Sequence, residues 1–381
     1  MSEYYDAWLK VNAFVDNRDV DADFREAIFA EGQRLKRDVL QPRKLERRKV
    51  LLVGGAGYIG TPLTQFLLER GYSVRCLDLL LYENDRCVAP FVGNPNYEFQ
   101  RADFADGNAV ETALDAVTDV VVLGGLVGDL ITKKYPSESG LINDEGVSNL
   151  VNSLNGRGLN KVLFISTCSN YGEIPANAVA DEDFELKPLS LYAKSKVAME
   201  RQLLAGKGTV DYVGTALRFA TAFGVSSRMR FDLTINEFTR NLWAGEELVV
   251  YDADTWRPYC HVQDFARGIA RVLEAPRSAV DFAVFNMGGD ENNFTKQMVV
   301  DELCKRIPGS KVKVVEGGVD RRNYKVDFRR VRERIFFEPS RTVGDGIGEL
   351  LDALEKGLYA DYERNRNFFC NYEINYPQPG R

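Results

Sequence analysis

Tyr192 and Lys196 stand four residues apart in the run Tyr-Ala-Lys-Ser-Lys. On a helix that spacing is one turn and puts both side chains on one face. An ammonium beside a phenol favours the phenolate and lowers its pKa. Such a tyrosine can take a proton from a hydroxyl group and return it later. The pair alone decides little, because tyrosine and lysine at this spacing are common on helix surfaces. Its weight comes from a glycine-rich run that precedes it.

That run is Val-Leu-Leu-Val-Gly-Gly-Ala-Gly-Tyr-Ile-Gly, which places Gly54, Gly57 and Gly60 after a strand pattern and at the opening of a helix pattern. The first glycine permits a tight turn, the second lets the backbone approach a pyrophosphate, and the third lets helix and strand pack closely. The diphosphate then lies against the unpaired N–H groups of the helix start. Asp78 ends the next strand, where an acid accepts hydrogen bonds from the adenosine ribose and repels a 2′-phosphate. Leu79, Leu80 and Leu81 follow it, with no arginine, so NAD is favoured over NADP. Asp103 either holds the adenine amino group or caps the helix after it.

These residues need elements to carry them. Strand patterns are expected at 50–53, 73–77, 97–101, 120–123, 161–166 and 210–218, and helix patterns to about Arg70 and at 107–117, 138–157 and 189–204. Strands alternating with helices mean right-handed crossovers and a parallel sheet covered on both faces. After residue 219 the alternation becomes irregular. The expected architecture is α/β: a doubly wound parallel sheet (Rossmann) over 49–218, then a smaller C-terminal α/β substrate lobe over 219–381 with segments returning to the sheet. Residues 1–48 stand apart as an N-terminal helical extension. From Asp21 to Arg48 they set Phe24, Ile28, Phe29, Leu35 and Leu40 roughly on one side, which suits packing on the main body or on a second subunit.

The motifs together resemble the extended short-chain dehydrogenase/reductase family, in its NAD-dependent nucleotide-sugar epimerase/dehydratase group. Gly-Gly-Ala-Gly-Tyr-Ile-Gly, Asp78, the run 166–172, Tyr-Ala-Lys-Ser-Lys, the run 217–224 and the run 257–264 occur in that family's order. The resemblance covers about residues 49–300. It implies that Thr167 joins Tyr192 and Lys196, its hydroxyl bonding the reacting sugar hydroxyl. It also implies removal of a hydride by NAD, usually from C4 of the sugar. Lys196 would also hold the nicotinamide ribose. The expected cofactor contacts are Gly54, Gly57, Tyr58, Ile59, Gly60, Asp78, Asp103, Phe104, Gly124, Gly125, Tyr192, Lys196 and Phe219.

The two residues after Thr167 discriminate within the group. Dehydratases resemble Thr-Asp-Glu there, since loss of water needs an acid and a base beside the sugar. Here Cys168 and Ser169 follow, poor substitutes for two carboxyls. Cys168 is one residue away from the catalytic cysteine of the 3,5-epimerases, and on an extended strand it points the other way, as a packed core thiol. A 4-epimerase and a C4 dehydrogenase or reductase that releases a keto-sugar both remain. So does a non-catalytic NAD-binding regulator, which has no need of three competent catalytic groups.

On the substrate side the resemblance assigns Arg257 to the substrate diphosphate, which a guanidinium fork suits. His261, in the same motif, is expected to be structural. Asp129 either touches a sugar hydroxyl or caps a turn. Ser169, Asn170, Thr221, Arg230 and Asn236 complete the expected substrate contacts; the run 226–238, which also holds Arg228 and Asp232, reads equally as a solvated helix start.

The bulk of the sequence agrees with an ordinary globular enzyme. It has 381 residues, a net charge of −7, 45% hydrophobic and 28% charged residues. That balance argues against nucleic acid and anionic membranes as partners. Six cysteines without a Cys-x-x-Cys pair suit reduced thiols in the cytoplasm. No signal-peptide pattern opens the sequence and no apolar run reaches the length of a membrane span. A single histidine excludes a multi-histidine metal site, and no acid spacing suggests another, so no metal is expected. The resemblance implies a homodimer through the helices near 138–157 and 189–206.

Overall fold

The computed structural model describes residues 48–318 and 320–376. The helical reading of the N-terminal extension therefore lies outside the described residues.

Strand β1 (Lys49–Val53) carries four consecutive apolar residues with no exposed surface, which only a strand covered on both faces allows. Helix α1 (Gly60–Glu69) leads to β2 (Ser73–Asp78) and β3 (Tyr97–Arg101). Helix α2 (Gly107–Ala113) leads to β4 (Asp119–Val122). Next come α3 (Asp129–Lys134), α4 (Pro136–Ser139), a π-helical turn (Gly140–Gly146) and α5 (Val147–Ser153). Strand β5 (Lys161–Thr167), α6 (Leu191–Ala205) and β6 (Val213–Phe219) complete the alternation.

Then follow β7 (Thr221–Phe223), α7 (Thr234–Trp243), β8 (Leu248–Tyr251), β9 (Trp256–His261), α8 (Val262–Glu274), α9 (Arg277–Val280) and β10 (Ala283–Met287). After these come β11 (Asn293–Thr295), α10 (Lys296–Arg306), β12 (Val312–Val315), α11 (Arg329–Ile335) and α12 (Val343–Glu355).

Seven parallel strands form the main sheet in the order β10-β6-β5-β4-β1-β2-β3. The order reverses between β1 and β4, so a crevice opens at their C-terminal ends. β10 is the segment that returns to the sheet from the irregular half, pairing with β6 from Ala283 to Met287. Two small sheets, β11-β9-β7 and β12-β8, lie in the other half.

Three local expectations change. The single helix over 138–157 is broken by the π-helical turn, bounded by Gly140 and Gly146. Within it Asn143 accepts from the Leu126 N–H at 2.8 Å and donates to the Leu126 carbonyl at 3.0 Å. The irregular turn thus supplies partners for a loop backbone that has no strand to pair with. Asp103 is not the cap of α2; Asp106 is, accepting from the Asn108 N–H. Cys168 lies on a tight helical turn (168–171) instead of a strand, because the Thr167 side chain accepts the Ser169 N–H and closes that turn.

Helix α6 is N-capped by Ser190, which accepts the Ala193 N–H. Its inner face is fixed by a buried ion pair. Arg218 on β6 reaches Glu200 at 2.6 Å, and the same carboxylate accepts from Ser166 Oγ at 2.9 Å. Arg218 also donates to the Tyr171 hydroxyl, which donates on to Asn286. Both charges are almost fully buried, so neither can lose its partner to water. Glu200→Ala, which strands the Arg218 charge, is expected to cost about 3–5 kcal/mol of stability, read as a lowered denaturant midpoint.

Candidate active site

The crevice begins with a backbone contact. Gly54 turns at φ +80° directly after β1, and its N–H donates to the Leu77 carbonyl at 2.8 Å. A Cβ on Gly54 would lie 2.5 Å from the Gly124 Cα in the loop after β4. A Cβ on Gly60 would strike the Gly55 carbonyl. Side chains at these two positions would drive turn, loop and helix apart. No side chain caps the start of α1 at Ile59, and Gly57, Tyr58, Ile59 and Gly60 all line the cavity. That start is therefore available to an anion.

The cavity has a volume of about 410 Å³ and runs from Asp78 and Asp103 past the glycines to Arg257. Asp78 accepts from the Ala56 N–H at 3.0 Å and the Leu80 N–H at 2.8 Å, which aims its carboxylate at the end of β2. Burial raises its pKa, opposed by these bonds and by Arg228. Phe104, Gly124, Gly125 and Phe219 line the same space, with Phe219 stacked on Phe265 at 3.8 Å. Tyr58 contributes its ring and backbone alone, because its hydroxyl donates to the Gly224 carbonyl at 2.6 Å.

Thr167 at the end of β5 meets Tyr192 and Lys196 on the first turns of α6. All three line the cavity, and the Thr167 hydroxyl lies near enough to Tyr192 to favour its phenolate. The Lys196 ammonium donates to the Ile165 carbonyl at 2.8 Å and lies 5.9 Å from the centre of the Tyr192 ring. Sequence reasoning expected the ammonium to lower the tyrosine pKa. Instead burial, reinforced by Asp129, raises it, while Arg230 and the Thr167 hydroxyl oppose the rise. Burial also pushes Lys196 down to about 8. The ammonium is turned to a main-chain carbonyl, so desolvation of the phenol wins.

The far end of the cavity is rich in charge. Arg257 pairs with Asp320 at 3.0 Å; Arg322 pairs with Asp320 at 2.7 Å and with Asp129 at 2.9 Å. Arg322 also donates to Ser169 Oγ at 3.2 Å, and Lys296 lines the same wall. Arg230 grips Asp232 with two bonds, and Arg228 is buried, so the run 226–232 is not a solvated helix start. Thr221 lines the cavity.

Two expected substrate contacts are not brought to the cavity. Asn236 is fully buried and spends its amide on the Tyr58 hydroxyl, the Arg230 carbonyl and the Gly224 N–H. Asn170 is turned under β5, donating to Ser166 Oγ at 3.0 Å. His261 is structural: its ring meets Glu349 at 2.5 Å and accepts the Gln263 N–H. Cys168 packs beneath the site, its thiol donating to the Arg218 carbonyl. Among the described residues no cluster of potential metal ligands occurs.

The profile of the NAD dependent epimerase/dehydratase family matches residues 50–288, which contain the glycine turn, Thr167, Tyr192, Lys196 and Arg257. The chain belongs to the NAD dependent epimerase/dehydratase family.

Both reactions in the family's name occur among its relatives. The chain is 25% identical over 286 residues to a UDP-glucose 4-epimerase of Corynebacterium glutamicum, covering 68% of this chain and 80% of that one. It is 27% identical over 310 residues to a dTDP-glucose 4,6-dehydratase of Streptomyces griseus, covering 78% and 91%. The structure of a UDP-glucuronic acid 4-epimerase from Bacillus cereus, solved with UDP-glucuronic acid and NAD, superimposes with a TM-score of 0.74. That match covers 81% of this chain and 99% of that one at 22% identity, a likeness of fold.

Beside the family motifs, sequence reasoning missed Tyr82, Asn84, Lys296, Asp320, Arg322, Tyr324, Asn371 and Tyr376, all of which line the cavity. Tyr82 and Asn84 follow Asp78 closely enough to have been found. Arg322 and Tyr324 arrive through a bridge between Asn323 and Glu173, a long-range pairing that no local pattern announces.

The Lys196 value carries a pH prediction. A lysine lowered to about 8 keeps its ammonium below that pH and loses it above. Loss of the charge removes support for a phenolate at Tyr192. kcat/KM is expected to fall as pH rises through about 8; a profile level from pH 7 to pH 10 would contradict this assignment.

Proposed function

We propose that the chain is an NAD-dependent nucleotide-sugar 4-epimerase, with Tyr192 as general base, Thr167 aligning the reacting hydroxyl and Lys196 supporting the phenolate and the nicotinamide ribose. The observation that carries this reading is the meeting of Thr167, Tyr192 and Lys196 in one cavity with the glycine turn and the cationic wall.

The cavity suits the dinucleotide. The uncapped start of α1 suits a diphosphate, and Asp78 suits the adenosine ribose. The Tyr82 hydroxyl, Asn84 Oδ1 and Asp129 Oδ1 are buried without hydrogen-bond partners, and all three residues line the cavity. Buried polar atoms are rarely left so, and a ligand rich in hydroxyls and amides would satisfy them. NAD, when bound, takes the hydride from the carbon that bears the reacting hydroxyl. Tyr192 takes the proton of that hydroxyl, which Thr167 aligns, and returns it to the same oxygen. Arg257 and Arg322 suit the sugar-nucleotide diphosphate, with Ser169, Thr221 and Arg230 beside it. The residues from β7 onward serve chiefly this substrate side.

The π-helical turn before α5 carries the exposed acids Asp144 and Glu145, and α6 carries the exposed bases Lys194 and Arg201. These complementary charges support the homodimer reading. A cytoplasmic location belongs to the same proposal; among the described residues no helix is long and apolar enough to cross a membrane.

One observation favours a second reading, a 4,6-dehydratase. Asp129 adds a carboxylate to the cavity close enough to act on Tyr192, with one oxygen free and the other on Arg322. Elimination needs such an acid or base, but positions 168 and 169 offer a buried thiol and a hydroxyl. Turnover of UDP- and dTDP-hexoses in deuterium oxide separates the readings. An epimerase returns the substrate's own hydrogen and gives the C4 epimer without deuterium. A dehydratase gives a keto-deoxysugar deuterated at C5, and net NADH release marks a dehydrogenase. Tyr192→Phe is expected to lower kcat by about 10²–10⁴-fold while leaving NAD bound; unimpaired turnover would remove Tyr192 from the chemistry.

A further inference from the structure

The segment that follows α12 crosses the cleft, and the family match, which ends at residue 288, does not include it. The Phe231 N–H donates to the Phe369 carbonyl at 2.8 Å. The buried Arg228 donates to the Cys370 carbonyl at 3.1 Å and to Asn371 Oδ1 at 2.9 Å. These bonds fix the segment to the wall formed by residues 228–231.

The next bonds reach the opposite wall. Asn371 Nδ2 donates to the Val127 carbonyl at 3.1 Å, in the loop after β4. Lys134 on α3 donates to the Tyr372 carbonyl at 3.2 Å and pairs with Glu373 at 3.0 Å. Ile374 and Tyr376 pack against the cluster of Leu126, Ile131 and Ile142, beside Leu81 and Phe104. The Tyr376 hydroxyl donates to Asp103 Oδ2 at 2.6 Å, while Asp103 Oδ1 accepts the Ala105 N–H. Asn371 and Tyr376 themselves line the cavity.

We propose that residues 366–376 form a strap over the dinucleotide cleft, that Tyr376 and Asn371 are part of the cofactor site, and that the strap sets the rate at which NAD enters and leaves. The proposal rests on the NAD reading above. Its physical basis is the pattern of anchors. The segment 372–376 has no helix or strand of its own, so side-chain bonds and the packing of Ile374 and Tyr376 hold it. Such a segment opens locally without disturbing the sheet. Tyr376 and Ala105 hold the Asp103 carboxylate with one donor on each oxygen, and the remaining lone pairs suit an adenine amino group. An NAD seated between Asp78 and Asp103 lies behind the strap and leaves only when the Tyr376 and Asn371 bonds have broken.

Exchange of bound NAD tests this on the full chain. Protein loaded with NAD is freed of excess, mixed with isotopically labelled NAD, and sampled by mass spectrometry. Tyr376→Phe and Asn371→Ala are each expected to exchange about tenfold faster than the wild type. Backbone hydrogen exchange on the wild-type chain gives a measurement independent of any variant: NAD is expected to slow exchange at residues 371–376 at least tenfold. Variants that exchange at the wild-type rate, with no protection of 371–376 by NAD, overturn the strap while the NAD reading stands. A wild-type chain that binds no NAD overturns both.

Discussion

The site depends on a place where two stretches of backbone touch. The turn after β1 and the loop after β4 meet at Gly54 and Gly124 so closely that one methyl group would part them. This contact lies where the strand order reverses, the one point in the sheet where a crevice opens between neighbouring strands. Gly125, at φ +138°, lies against the Asn143 side chain, which holds the same loop through Leu126. The π-helical turn, the glycine contact and the opening of α1 therefore act as one device. Together they give the crevice a floor of backbone where side chains would fill it.

The second constraint is the placing of α6 against β5 and β6. Tyr192 and Lys196 reach the crevice only if the helix is held at its register on the sheet. Glu200 lies one turn beyond Lys196 and is bound by Arg218 and Ser166, so the turn that carries Tyr192 and Lys196 is clamped from below. The same burial that makes this clamp firm raises the tyrosine and lowers the lysine. Burial thus makes the phenol resist ionisation. A cationic ring bound beside it would shift that balance towards phenolate.

The half of the candidate site around the glycine turn and α6 was readable because its signals are local. Gly54, Gly57, Gly60, Asp78, Thr167, Tyr192 and Lys196 each sit at the end of a strand or on the first turns of a helix, where spacing along the sequence translates into position in space. The substrate side was less readable because its residues come from loops. Arg322 faces Asp129 across nearly two hundred residues, and Tyr376 faces Asp103 across more. No periodicity links such partners. Asn236 shows the reverse error: a polar residue in a promising run is used wholly inside the fold, because Tyr58, Arg230 and Gly224 all needed its amide. Asn170 is likewise directed into the fold, its amide NH2 donating to Ser166 beneath β5.

The central claim is spatial: Tyr192 and Thr167 act together on one sugar hydroxyl beside the nicotinamide ring. A crystal structure of the Tyr192→Phe protein with NAD and a nucleotide-sugar tests it most directly. The account predicts the sugar C4 about 3–3.5 Å from the hydride-accepting carbon of the ring, with the C4 hydroxyl bonded to Thr167 Oγ1 and facing the edge of residue 192. A ring lying away from α6, or a sugar whose hydroxyls face neither residue, would contradict it.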